Sequence, residues 1–201
     1  SEVVLDTEFA KELGVKQFGS ETGTFAGGKK SSFQHARIDS LTLGDWTLEN
    51  LPAGIINTRV LSKDLEAKQI DGIIGTVVLY HFLATMNYTN GELVLRRKSP
   101  ANLKPFEEAR AGRNVVPFWM ADDHFMVAHG RIDKREPTLF FLDSGLAGGD
   151  VKLAESVIAE AGIKLQKDKA TEGLGAGGKI VITPFEVKRV SLGEIVKSNA
   201  E

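Results

Sequence analysis

The sequence predicts a mostly β chain built as two pseudo-repeated lobes with short helices, both lobes incomplete. Three observations carry that expectation. Blocks of similar residues recur in the same order at an offset of 148 to 150 positions. Short alternating stretches are punctuated by glycine-rich turns, the pattern of paired strands. One uninterrupted apolar run, Leu139-Phe140-Phe141-Leu142, leads directly into Asp143-Ser144-Gly145.

Taken in order, Val3-Val4-Leu5 leads to Asp6, which suits an N-cap. Phe9, Ala10 and Leu13 follow at helical spacing and Gly14 closes the helix. Asp6-Thr7 is not a catalytic pair on this reading, because Glu8 stands where a tight turn needs glycine. A glycine-rich stretch from Gly19 to Lys30 precedes alternating residues from Phe33 to Ile38, then a hairpin near Gly44-Asp45 and a strand over Leu51 to Ile56. Asp64 to Gln69 reads as a helical turn or loop, and Leu79 to Leu83 as a short helix. Asn90-Gly91 marks a hairpin within Ala84 to Leu95.

Arg96 to Arg113 is polar, holds Pro100 and Pro105 and lacks periodicity, so it reads as a linker. Strands are expected over Asn114 to Met120 and Phe125 to Ile132, with a turn at Asp122-Asp123. The run from Pro137 is apolar on both faces, which predicts a strand inside a sheet. A helix over Ala154 to Ala161 should close at Gly162. A second glycine-rich stretch, Gly173 to Lys179, precedes strands near Ile180–Ile182, Phe185–Val187 and Val190–Gly193. The expected division is residues 1–98 for the first lobe, 99–113 for the linker and 114–201 for the second lobe.

The repeat is specific. Val3, Leu5, Glu12, Gly14, Val15 and Lys16 align with Val151, Leu153, Glu160, Gly162, Ile163 and Lys164. Gly23 to Lys29 align with Gly173 to Lys179, and Leu43-Gly44 with Leu192-Gly193. Counterparts of Asp143-Ser144-Gly145 in the first copy, and of Gly72-Ile73-Ile74-Gly75 in the second, are then expected before Ser1 and past Glu201. Asp, Ser and Gly are turn residues in their own right. The duplicated flanks shift the reading of Asp143-Ser144-Gly145 from a plain turn to an active-site loop.

With an apolar strand ending Asp-Ser-Gly, a helix, a glycine-bearing hairpin and Asp71-Gly72-Ile73-Ile74-Gly75, the chain resembles the aspartic proteases, and among them the bacterial two-lobed retropepsin-like group. The resemblance implies that the two lobes are β-barrels and that Asp143, Ser144 and Gly145 form a catalytic loop. It also implies that Phe25, Ala26 and Gly27 and their counterparts Leu174, Gly175 and Ala176 lie in substrate-binding flaps. The family's chemistry needs two facing carboxylates sharing one proton, because like charges about 3 Å apart do not both ionise. Such a pair activates water against a peptide carbonyl. Only one Asp-Ser-Gly or Asp-Thr-Gly is present, so the second carboxylate must come from elsewhere, a homodimer being one source. The substrate implied is a peptide or unfolded protein, and the family's habit of export suggests a periplasmic or secreted location. The rival reading is an inactive peptide-binding or dimerising module that keeps the fold.

Other classes fare worse. A net charge of -2, with no basic cluster interleaved with aromatics, argues against nucleic-acid binding. No run is long enough to span a membrane, and with no Cys there are no disulfides or thiolate metal sites. His35, His81, His124 and His129 show no ligand spacing, so neither a metal nor another cofactor is expected. Gly23-x-x-x-x-Gly28-Lys29 resembles a P-loop and Gly173-x-Gly175-x-x-Gly178 a dinucleotide fingerprint. Both need a following helix where strand-like residues stand instead. No Gly-x-Ser-x-Gly elbow exists for a serine hydrolase.

Overall fold

Val3, Leu5 and Asp6 are buried on β1 (Val3–Asp6), and the strand is held from both sides. In the computed structural model, which describes residues 2–25, 28–62, 69–122, 124–146, 149–175 and 177–201, the chain is mostly β and divides into two compact units. The first comprises Ser1–His81 and Glu172–Ile182; the second comprises Phe82–Thr171 and Thr183–Glu201.

In the first unit, α1 (Thr7–Glu12) follows β1 without a break. Then come β2 (Gln17–Phe25), β3 (Lys29–Leu43), β4 (Trp46–Ile56), a short 3-10 turn at Arg59–Ser62, β5 (Gly72–Ile73) and α2 (Thr76–Leu79). The sheet order is β2-β3-β4-β1-β5, with β1 parallel to β4 and antiparallel to β5. Ala10 points from α1 into a core with Leu5, Ala36 and Ile55, against which Phe9, Val15 and Ile38 pack. The hairpin expected at Gly44-Asp45 is present, with Leu43 paired to Trp46 across it. Gly72 is required by proximity: a Cβ there would lie 2.5 Å from the Val4 carbonyl oxygen.

The second unit opens with the hairpin of β6 (Phe82–Asn87) and β7 (Glu92–Arg97). Asn87 pairs with Glu92, so Asn90-Gly91 closes a four-residue loop, with Gly91 at φ 67. Next come α3 (Pro100–Arg110), β8 (Trp119–Ala121), β9 (Phe125–Ile132), β10 (Thr138–Phe141), α4 (Glu155–Ala161) and a 3-10 turn at Lys167–Lys169. The hairpin of β11 (Thr171–Gly175) and β12 (Gly178–Ile182) groups mostly with the first unit. β13 (Val187–Leu192) and β14 (Ile195–Ala200) complete a sheet ordered β10-β9-β13-β14, with β8 also on β9. Its core gathers Ile132, Val151, Ile158, Phe185, Val187 and Ala200.

Local geometry recurs at the offset read from the sequence. The Val15 N–H donates to the Ala10 carbonyl at 3.0 Å, and 148 positions on the Ile163 N–H donates to the Ile158 carbonyl at 3.1 Å. Gly14 and Gly162 close the two helices at φ 64 and 62, where a residue with a Cβ is disfavoured. Val3 pairs with Ala53 beside β4, and the Val151 N–H donates to the Glu201 carbonyl at 3.1 Å.

Several expectations need correction. The helix expected over Leu79 to Leu83 is displaced to Thr76–Leu79, because Phe82 and Leu83 are buried on β6. The strand expected from Asn114 begins only at Trp119, since Pro117 has no N–H for a ladder. The stretch expected as a linker contains α3, with Pro100 in its first turn, where a missing N–H is harmless. β10 is not enclosed: it is an edge strand, and Leu139 and Phe141 are 58% and 48% exposed. The expected turn or loop at Asp64 to Gln69 lies, but for Gln69, outside the described residues, as does Asp123 of the expected turn.

Replacing Gly72 with Ala should destabilise the first unit by roughly 1–3 kcal/mol, because backbone must move to admit the methyl. Chemical denaturation followed by circular dichroism measures this, and an unchanged midpoint would contradict the close approach of β5 to β1.

Candidate active site

Asp143 follows β10 by two residues. The Leu142 N–H, donated to the Met126 carbonyl at 2.8 Å, is the last tie to β9 before the chain turns. The turn is built by Asp143 itself. Its Oδ1 accepts from the Gly145 N–H at 2.9 Å, and its carbonyl accepts from the Leu146 N–H at 3.2 Å. An Asp that bonds the backbone two residues on makes an Asx-turn, and this fixes the side-chain direction locally. Asp143, Ser144 and Gly145 are all exposed. Among the described residues Oδ2 of Asp143 has no hydrogen-bond partner. One oxygen is thus oriented and the other is free to meet water or a second acid.

Asp6 is the opposite case. It is 1% exposed and every nearby donor uses it. Oδ1 accepts from the Glu8 N–H at 2.9 Å and the Phe9 N–H at 3.4 Å, and Oδ2 from the Arg59 N–H at 3.0 Å. The Arg59 Nε lies 3.4 Å from Oδ1. Burial pushes this carboxyl upward, but the N–H groups of Arg59, Glu8 and Phe9, with the Arg59 charge, outweigh burial and hold it below the usual carboxylate range. With both oxygens engaged, Asp6 caps α1, as expected from the sequence. Sequence reasoning missed Arg59 and Asp71, which complete this cluster: Arg59 Nη2 lies 2.8 Å from Asp71 and 3.4 Å from Glu12. A separation of 53 positions between Asp6 and Arg59 leaves no local signal to find.

Of the residues expected in flaps, the described ones lie on two hairpins of the first unit. Phe25 ends β2, half-buried, with its ring edge-on to Phe33 at 6.4 Å. Phe33 in turn meets His35 at 5.1 Å. Gly23 makes room for this row, since a Cβ there would lie 3.0 Å from the Phe33 ring. Leu174 and Gly175 lie on β11. Ala26, Gly27 and Ala176 lie outside the described residues. The two hairpin ends touch: a Cβ on Gly177 would fall 2.5 Å from Lys29 Cβ and 3.2 Å from Phe25 Cβ. The structure therefore brings Phe25 to the hairpin that carries Leu174 and Gly175. Asp143, Ser144 and Gly145 stand together in the second unit.

The model of the aspartyl protease family matches residues 1–78. That segment is similar to aspartic-type peptidases and supports a peptidase hydrolase. The match spans α1, the Gly23–Lys29 hairpin and Gly72-Ile73-Ile74-Gly75, and stops before Asp143. No curated protein and no solved structure gives a significant match. Among the described residues no helix is long and apolar enough to cross a membrane.

Replacing Asp6 with Ala leaves three N–H groups and Arg59 short of an acceptor, so a loss of about 2–3 kcal/mol is expected. Because folding lowers the Asp6 pKa, its contribution is complete above the unfolded value of about 3.9 and fades as pH falls through the folded one. Thermal unfolding measured from pH 7 downward should show the Asp6→Ala deficit shrinking below about pH 4. A deficit that stays constant or grows in acid would contradict the assignment.

Proposed function

We propose that this chain is an aspartic-type endopeptidase of the retropepsin-like kind, in which Asp143 supplies one of two catalytic carboxylates. The observation that carries the reading is the state of Asp143: exposed, fixed by its own turn through Oδ1, and free at Oδ2. A carboxylate held this way suits a dyad in which one acid stays protonated while the other takes a proton from water. Ser144 and Gly145 shape the loop. The family match over residues 1–78 supports the same chemistry from the other end of the chain.

On this reading the chain is an internal duplication of one lobe: residues 1–98, a linker over 99–113, and residues 114–201. The matched helix closures at Gly14 and Gly162 and the paired bonds of Val15 and Ile163 support that division. The hairpins bearing Phe25, Ala26 and Gly27 and Leu174, Gly175 and Ala176 act as flaps. They close over an extended peptide, pair with its backbone and exclude water. The substrate is a peptide or an unfolded protein segment, and export to the periplasm or beyond fits the family's habit.

The sequence holds a single Asp-Ser-Gly, so a working dyad needs a carboxylate from outside these 201 residues. A second copy of the chain is one source. Without it the fold serves as a peptide-binding or dimerising module.

Asp143→Asn should abolish cleavage of an unfolded protein substrate, and inhibition by a statine-type peptide should vanish with it, while circular dichroism stays unchanged. Turnover equal to the parent would remove Asp143 from the mechanism. Specific activity of the 201-residue chain should rise with protein concentration, as expected of two copies assembling one dyad. Full activity in a monomer demonstrated by sedimentation would contradict the one-carboxylate reading.

A further inference from the structure

Two hollows lie side by side on the second unit, and neither is lined by Asp143, Ser144 or Gly145. One, of about 510 Å³, is lined by Ile132, Asp133, Lys134, Arg135, Ala161, Ile163 and Lys188. The other, of about 460 Å³, is lined by Arg131, Asp133, Lys134, Arg189, Ser191 and Gly193. Asp133 and Lys134 form the wall between them.

That wall is fixed. Asp133 sits at φ 51, an unfavourable backbone for a residue with a Cβ. Reciprocal bonds hold it there: its N–H donates to the Arg189 carbonyl at 2.8 Å, and its Oδ1 accepts from the Arg189 N–H at 2.9 Å. The one carboxylate in the hollows is therefore engaged by backbone. Arg135 is also engaged, through Nη2 on Glu160 at 3.1 Å and Nη1 on the Glu160 carbonyl at 3.2 Å. The side chains of Arg131, Lys134, Lys188 and Arg189 are exposed and form no ion pair among the described residues. Four free cations around one occupied carboxylate stand out in a chain whose net charge is -2.

The two hollows differ in chemistry because they take opposite faces of the strands. Arg131 is directly across from Ser191, and Arg189, two residues before Ser191, shares its face. That hollow offers two guanidinium groups and a hydroxyl. The other combines Ile132, Ala161 and Ile163 with a lysine on each side. A bare phosphate uses only the first, and a nucleic-acid backbone needs a longer basic stripe than four residues supply. An extended acidic peptide with an apolar residue beside its carboxylates uses both.

We propose that this Asp133–Lys134 ridge is a docking site for an acidic peptide segment carrying an adjacent apolar side chain. The carboxylates meet Arg131 and Arg189 on one side of the ridge, and the apolar residue packs on Ala161 and Ile163, over the buried Ile132, on the other. Guanidinium groups suit carboxylates because their donors form a planar fork.

A fluorescently labelled peptide of Glu residues flanking one Leu, titrated with the 201-residue chain and followed by anisotropy, tests this independently of any peptidase activity. Binding should be saturable and weaken as salt rises. Arg131→Glu and Arg189→Glu should each weaken it about tenfold, the scale of one charge-assisted bond. Arg37→Glu, at an exposed cation of the first unit already beside Asp39, should leave it unchanged. Changing the peptide's Leu to Gly should also weaken binding. No binding, or binding indifferent to both reversals, overturns the proposal. So does tighter binding of a labelled oligothymidylate lost in the same variants, which would make the ridge a nucleic-acid contact.

Discussion

The first unit depends on a carboxylate that has no room to move. Asp6 ends β1 and begins α1, so its position fixes the angle between strand and helix. Its oxygens accept from the helix on one side and from Arg59, beyond β4, on the other. Its own N–H donates to the Asp71 carbonyl at 2.8 Å, immediately before β5. Arg59 closes the circuit by donating Nε to the Asp71 side chain at 2.9 Å. Three strands and a helix therefore meet at one ion pair between the buried Asp6 and the half-buried Arg59. Removing either partner leaves a buried charge or unpaired donors, so such a cluster is expensive to break although its net stabilisation is modest.

The second unit reaches similar backbone geometry by different means. At the offset of 148 positions Ala154 stands where Asp6 would be, and it caps α4 with no side-chain bond. The segment before it is held by backbone bonds from Asp150 and Val151 to Glu201, and Ile158 fills the core where Ala10 sits in the first unit. What the two share is the glycine after each helix and the bond that follows it. A left-handed closure constrains the chain whatever the side chains do, whereas a polar cap can be traded for apolar packing.

Elements defined by local chemistry were legible in the sequence. The Asp6 cap, the closures at Gly14 and Gly162, the Gly44-Asp45 hairpin and β9 all announce themselves within a few residues. α3 did not, because no face of it is buried and its sequence carries no amphipathic period. β14 went unread because Ile195 to Ala200 runs two apolar, three polar and one apolar residue, without the alternation that marks a strand. The Arg59 network was illegible because its partners meet only after folding. For the candidate site, the sequence identified Asp143 but not its setting. An unbroken apolar run states that both faces can be covered, not what covers them.

That last point bears on the chemistry. Phe141 is two residues from Asp143, so their Cα atoms lie within about 7 Å on an extended chain. A second carboxylate must approach Asp143 to about 3 Å before the pair can share a proton. Leu139 and Phe141 are exposed on β10 close by, so a partner supplying the proposed second carboxylate would also cover them. Covering those side chains removes water from the same neighbourhood, and a drier neighbourhood strengthens the coupling that splits the two acids. Under the proposed function, assembly of the dyad and burial of the β10 face are one event. A strand apolar on both faces yet open on one is, on that proposal, the half that a partner would complete.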